Sequence, residues 1–234
     1  MKPKRAMVLA AGLGTRMRPH NGHLPKPLVT VRGKSLIDYG LDRLAEAGVD
    51  CAVVNVHYLA DEIEKHLAQR RKPRILISDE RGQLLGTGGG IAKALPQLGG
   101  APFFLINSDT FWVDNANPNF ARLAEAFVSS AMDALLLLAP RTESIGYQGR
   151  GDYTMLADGQ LRRRTGEETA PFIYAGAAVL SPDLFAAAPT GGFPLTALFD
   201  RAAEKRRLFG LPLEGVWMHV GTPEAVAAAE AALR

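Results

Sequence analysis

The sequence predicts a mixed α/β fold: a mainly parallel sheet flanked by helices, with a small β-rich lobe over one edge. Two observations carry this. Short apolar, β-rich runs alternate with amphipathic stretches as far as Pro140, and strands separated by helices pair in parallel through right-handed crossovers. Beyond Pro140 the runs shorten, and two of them flank Asp158-Gly159 in the pattern of an antiparallel hairpin.

The elements follow in order. "AMVLAAG", from Ala6, reads as a buried strand entering a turn. Leu36, Ile37, Leu41 and Leu44 stand at helical spacing within residues 35–47, and Gly48 stops that helix. "CAVVNVH" is a second strand, residues 61–69 a helix, and "RILISD" a third strand. Residues 87–95 form a helix entered through glycines, "FFLINSD" a fourth strand, residues 119–129 a helix, and "DALLLLA" a fifth strand. Then come the hairpin "GDYTML"/"QLRRR", the strand "FIYAGAAVL", a helix over 194–205, and the late strands "LFGLPL" and "GVWMHV". Thr222 caps the last helix, with Pro223 at its first position. No repeat or low-complexity linker divides the chain, so a single domain over 1–234 is expected, with the lobe at about 140–180.

Of the 234 residues, 47% are hydrophobic and 22% charged, the balance of a water-soluble chain with enough length for a real core. One cysteine, Cys51, rules out an intrachain disulfide and a multi-cysteine zinc site. The apolar runs at 6–11 and from Ala134 are too short to cross a membrane. No membrane association is therefore expected, and the expected compartment is the cytoplasm. A net charge of +3 suits a phosphate-bearing small ligand. The basic clusters at 70–72 and 162–164 are short and separate, so a nucleic-acid partner is not expected.

The chemistry concentrates where the first strand ends, in "LAAGLGTRMRPHNGHLPKPL". Gly12 and Gly14 let backbone N–H groups approach an anion. Arg16, Arg18 and Lys26 add positive charge, and Pro25 and Pro27 stiffen the chain around Lys26. The dinucleotide fingerprint fails, because Met17 stands where its third glycine belongs, and the Gly-Lys-Ser/Thr of a P-loop is absent.

Three blocks of this string, Leu9 to Gly12, Gly14 to Pro19 and Pro25 to Leu28, resemble the signature of the sugar-1-phosphate nucleotidyltransferases. "LLGTGGGI" is similar to that family's second glycine segment, "INSD" to its strand-end metal aspartate, and "GRGD" with "YAGAAVL" to its sugar-side lobe. The "TGGGI" and "GRGD" forms resemble the short N-acetylmuramate-1-phosphate uridylyltransferase branch.

The resemblance implies a Rossmann-like sheet and a nucleoside triphosphate and a sugar 1-phosphate as partners. It implies that Gly14, Thr15 and Arg16 hold the β- and γ-phosphates, with Lys26 on the α-phosphate, that Ala11 and Gly12 also contact the nucleotide, and that base choice depends on backbone contacts near Ala11 and Gly86. Asp109 would bind a magnesium ion, Asn107 would contact the nucleotide, and Gly86 and Gly88 would let the base lie against the backbone. On the sugar side the family's Glu-Lys-Pro segment is missing its lysine here, leaving Arg150, Asp152, Glu167 and Tyr174 as candidates. UTP with N-acetylmuramate 1-phosphate leads. GTP with mannose 1-phosphate and CTP with a choline or polyol phosphate follow, and a regulatory homologue that binds nucleotide without turnover is a further alternative.

One departure stands out. The family ends its core with Trp-x-Asp-x-Gly-Thr, whose aspartate shares the metal, and this chain has "WMHVGT". His219 then ligates metal directly, holds a metal-bound water or phosphate oxygen, or only packs. An imidazole ligand would favour manganese over magnesium.

Overall fold

The structure, a computed structural model, describes residues 2–15 and 24–233. In chain order the strands and helices are β1 (Arg5–Leu9), β2 (Thr30–Val31), β3 (Lys34–Ser35), α1 (Leu36–Glu46), β4 (Cys51–Val56), α2 (Ala60–Leu67), β5 (Arg74–Asp79), α3 (Gly86–Leu98), β6 (Phe103–Asn107) and β7 (Thr110–Asp114). There follow α4 (Asn119–Ala126), β8 (Ala134–Pro140), β9 (Tyr153–Met155), β10 (Leu161–Arg163), β11 (Phe172–Leu180), α5 (Thr196–Glu204), β12 (Leu208–Pro212), β13 (Gly215–His219) and α6 (Pro223–Ala232).

A nine-stranded mixed sheet carries the molecule, in the order β10-β9-β11-β6-β1-β4-β5, with β8 and β12 branching from β11. The strands β6, β1, β4 and β5 run parallel, as the crossovers through α1, α2 and α3 require. β11 is antiparallel to both β6 and β8, and a register shift between Tyr174 and Ala178 lets it serve the two neighbours in turn. The β-rich lobe grows from this sheet: the hairpin β9–β10 joins it through the pairing of Phe172 with Tyr153.

Alternation along the strands builds a core on each face. Ala6, Val8, Phe104 and Ile106 face one side, where α1, α2 and α4 deliver Leu41, Leu44, Ile63, Phe120 and Leu123. Met7, Phe103 and Leu105 face the other, against Ile91, Ala94 and Leu98 of α3 and Leu198 and Phe199 of α5. Each large side chain buried there contributes about 1.5–3 kcal/mol by leaving water.

Two features depart from the sequence reading, the strand pairing near the C-terminus and the extent of α3. "TFWVD" forms β7, a strand not expected from the sequence, and it pairs antiparallel with β13 in a separate two-stranded sheet. The late strand "GVWMH" therefore stands off the main sheet, and β2, β13 and α6 close a third, smaller core around Phe111, Met218 and Val220. The C-terminal helix packs on its own chain, through Ala225 and Ala229. Helix α3 begins at Gly86 and runs to Leu98, through Pro96, longer than its glycine content suggests.

Candidate active site

The carboxyl ends of β1, β4 and β6 open into a cleft of about 350 Å³. This is where open α/β sheets place ligands. Its floor is the glycine turn: Ala11, Gly12, Gly14 and Thr15 line it. Gly14 has φ +60, a left-handed conformation that a side chain disfavours, and a Cβ there would press to 3.2 Å from the Cβ of Lys26. The turn is thus shaped by a bare backbone, with its N–H groups beside the cleft. Arg16 lies outside the described residues, as do His20 and His23.

Lys26 begins a short 3-10 turn whose N-cap is Pro25 and whose Leu28 N–H donates to the Pro25 carbonyl. Its stem is held between two prolines, and its side chain is 11% exposed. The ammonium donates to Asp109 Oδ2 at 2.7 Å. Asp109 follows β6, and the Ser108 N–H bonds back to the Leu9 carbonyl, so the aspartate is presented directly opposite the glycine turn. Asn107 ends β6 and also lines the cleft. Lys26 and Asp109 are the charged side chains lining it among the described residues.

The opposite wall is the entry to α3. Gly86, φ +67, lines the cleft with Leu84 and Thr87. Gly88 does not line it, which corrects the expectation that it lies against a base. It is buried, its N–H donates to the Phe193 carbonyl, and a Cβ on it would overlap the Phe193 ring. That glycine is required by packing between α3 and the segment before α5. No short-range signal tells these two reasons for a glycine apart.

Asn55 and Glu80 escaped the sequence reading. Asn55, one residue before the end of β4, lines the cleft and is 2% exposed; Glu80, just past β5, is 1% exposed. A buried carboxylate is the informative observation in a core, but "SDE" in the sequence reads as surface.

A second hollow, of about 740 Å³, is lined by Gly146, Tyr147, Gln148 and Gly149, and from the C-terminal side by His219, Thr222, Glu224, Ala225 and Ala228. His219 lines this hollow, and Asp109 lines the cleft. Among the described residues no three His, Cys, Asp or Glu side chains group as a metal site. The reason is strand parity. Trp217 and His219 are two apart on β13 and share a face. Their rings stack with centroids 5.8 Å apart, and Tyr147 meets both edge-on. The ring still reaches toward the cleft: Gly221 lines the cleft, and a Cβ on it would lie 2.6 Å from His219 Nε2. His219 is part of the wall between the two hollows.

The four sugar-side candidates are not brought together at either hollow. Arg150 and Glu167 pair with each other at the surface. Asp152 accepts from the Tyr174 N–H at 2.9 Å, and burial pushes its carboxyl above the ordinary 3.8. The expectation for Tyr174 is corrected: its ring meets Phe199 edge-on in the core and its hydroxyl is buried there. Desolvation raises the pKa of that hydroxyl.

Comparison with known proteins agrees with this architecture. The chain is 50% identical, over 99% of its length and 97% of the relative's, to the N-acetylmuramate alpha-1-phosphate uridylyltransferase of Caulobacter vibrioides. It is 33% identical to the enzyme of that name from Neisseria meningitidis, over 93% of each chain. The solved structure of the inositol-1-phosphate CTP transferase from T. maritima superposes with a TM-score of 0.77 at 18% identity, covering 98% of this chain and 97% of that one, a likeness of fold. Residues 6–204 match the family described as MobA-like NTP transferase domain, and the chain belongs to that family.

Proposed function

We propose that this nucleotidyltransferase joins UTP to N-acetylmuramate 1-phosphate and releases pyrophosphate. The observation that carries the reading is the convergence of a bare glycine turn, a proline-braced Lys26 and Asp109 on one cleft, together with 50% identity to a uridylyltransferase of that name over 99% of the chain. An oxygen of the sugar phosphate attacks the α-phosphorus of UTP. The new P–O bond forms as the bond from that phosphorus to the α–β bridging oxygen breaks, and that oxygen departs with pyrophosphate on the opposite side.

The protein forms no covalent bond; it aligns two anions and neutralises charge that grows on the phosphoryl oxygens. The N–H groups from Gly12 to Thr15 cradle phosphate, and Lys26 turns from Asp109 to the α-phosphate. Asp109, with the nucleotide's phosphates, fits magnesium, an ion that takes oxygen donors and is commonly held by one or two carboxylates plus phosphate. When bound, the ion supplies charge neutralisation to the phosphates. The second hollow receives the sugar, and His219, in the wall between, faces the sugar phosphate. Nucleoside triphosphates are cytoplasmic metabolites, so the reaction belongs in the cytoplasm. Its product would return a cell-wall sugar to peptidoglycan.

A pyrophosphate-release assay crossing the four nucleoside triphosphates with a panel of sugar 1-phosphates tests this. UTP with N-acetylmuramate 1-phosphate is expected to turn over fastest, and Lys26→Ala to lower kcat by about 10²–10³-fold. A preference for GTP with mannose 1-phosphate, or full activity in the Lys26 variant, would overturn the reading.

A further inference from the structure

We infer that Glu80 and Asn55 form a positioning strut that sets the distance between the phosphate-binding turn and the base-side loop, and so governs which base the enzyme accepts. The inference rests on the nucleotide reading of the cleft. The Ala10 N–H, where β1 opens into the glycine turn, donates to Asn55 Oδ1 at 2.8 Å. Asn55 Nδ2 donates to Glu80 Oε1 at 2.7 Å, and Glu80 Oε2 accepts from the Leu85 N–H at 3.1 Å. Leu85 immediately precedes Gly86, so one continuous run of hydrogen bonds crosses the buried end of β4 from one nucleotide loop to the other.

The polarity of the run is specified at every link. Asn55 faces a backbone donor with its oxygen and a carboxylate with its nitrogen, so a flipped amide would break both bonds. Glu80 must accept at both oxygens, which only a carboxylate does. Its own backbone is pinned as well: its N–H donates to the Val56 carbonyl, and its carbonyl contacts His57 Nδ1 at 2.7 Å. No cation pairs with Glu80 among the described residues. The carboxylate instead lies at the N-terminus of α3, where the helix dipole favours negative charge. Space for the strut comes from Gly90, on which a Cβ would lie 2.6 Å from Glu80 Oε1 and 2.8 Å from Asn55 Nδ2. Leu85 is fixed from the far side too, since its carbonyl accepts from the Phe193 N–H at 3.0 Å.

Glu80→Gln tests the strut, because a glutamine accepts at one terminal atom only. The expected result is a nucleotide KM raised roughly tenfold, the cost of about one buried hydrogen bond. The preference for UTP over the other three triphosphates should narrow, with the KM for sugar phosphate unchanged. The variant Asn55→Asp/Glu80→Gln restores the run with its middle link reversed, and is expected to recover the wild-type nucleotide KM and base preference. Unchanged KM and base preference in Glu80→Gln, or a fall in kcat alone, would overturn the inference. So would a folded double variant whose base preference stays relaxed, and this variant carries the test if Glu80→Gln fails to fold. Calorimetric titration of the wild-type protein with each triphosphate separates the two levels. Absence of binding refutes the nucleotide reading itself, whereas binding with an unaltered Glu80→Gln profile refutes only the strut.

Discussion

Asp152 is a carboxylate that the fold turns inward. Desolvation is the largest influence on it, opposed by the Tyr174 N–H and by the charges of Arg164 and Arg163, and the net effect is a raised pKa. A raised acid means that the charged form is the costly one in the folded state. That cost is full above the folded pKa and disappears as pH falls toward the unfolded value of 3.8. Asp152→Asn keeps an acceptor for the Tyr174 N–H and never ionises. The variant is therefore expected to be the more stable protein at pH 7, with an advantage that shrinks on acidification to about pH 4. Urea unfolding of both proteins across that range checks it, and an advantage that grows in acid would contradict the assignment. At this scale Lys26, Asp109 and Asn107, which the sequence singled out, all line one cleft, Asn107 and Asp109 because the end of β6 opens onto it. The sequence misplaced Tyr174 because an aromatic on a strand has two faces to choose from, and only the sheet's neighbours decide which is core.

Helix α3 is assembled against its own propensity. Four of its first five residues are glycines, and at those with helical backbone, Gly88, Gly89 and Gly90, each is about 1 kcal/mol worse than alanine in a helix interior. The space their side chains would need is taken. Phe193 occupies it at Gly88, the Gly191 carbonyl at Gly89, and Glu80 with Asn55 at Gly90. Gly88→Ala sets a propensity gain of about 1 kcal/mol against an overpacking cost of about 1–3 kcal/mol or more. The clash is with a buried ring and with a backbone carbonyl, neither of which is a flexible side-chain end, so packing wins. Thermal unfolding should show Gly88→Ala melting lower by about 3–6 °C, while Gly100→Ala, with no atom within 4 Å of the new Cβ, stays near wild type. Equal melting temperatures would remove Phe193 as the reason for the glycine.

Across the whole molecule the cleft is a meeting of distant segments. Residues from β1, the turn at Lys26, Asn55, the entry to α3, the end of β6 and Gly221 all line it. A ligand that bridges them binds the folded chain and not the unfolded one. UTP at about 100 times its Kd adds about 2.7 kcal/mol to the unfolding free energy, which raises Tm by about 5–10 °C for a chain of this size. Differential scanning fluorimetry with and without UTP reads this directly, and an unshifted Tm at millimolar UTP would count against the cleft as the nucleotide site.

The sequence by itself determined the parallel β-α-β core, the glycine turn with its braced lysine, and the aspartate at a strand end. These depend on local periodicity, on backbone freedom and on spacing within one segment, all of which are written along the chain. Tertiary structure decided the rest. It paired β7 with β13 apart from the main sheet, turned His219 toward Trp217 and Tyr147 in the wall between two hollows, and divided the glycines between a left-handed backbone at Gly86 and packing against the Phe193 ring at Gly88. It also buried Glu80 where the amide of Asn55 and the Leu85 N–H bond to its carboxyl group. Each of these depends on a partner 25 or more residues away, or on a helix not yet built at that point in the chain, so no reading of neighbouring residues contains it.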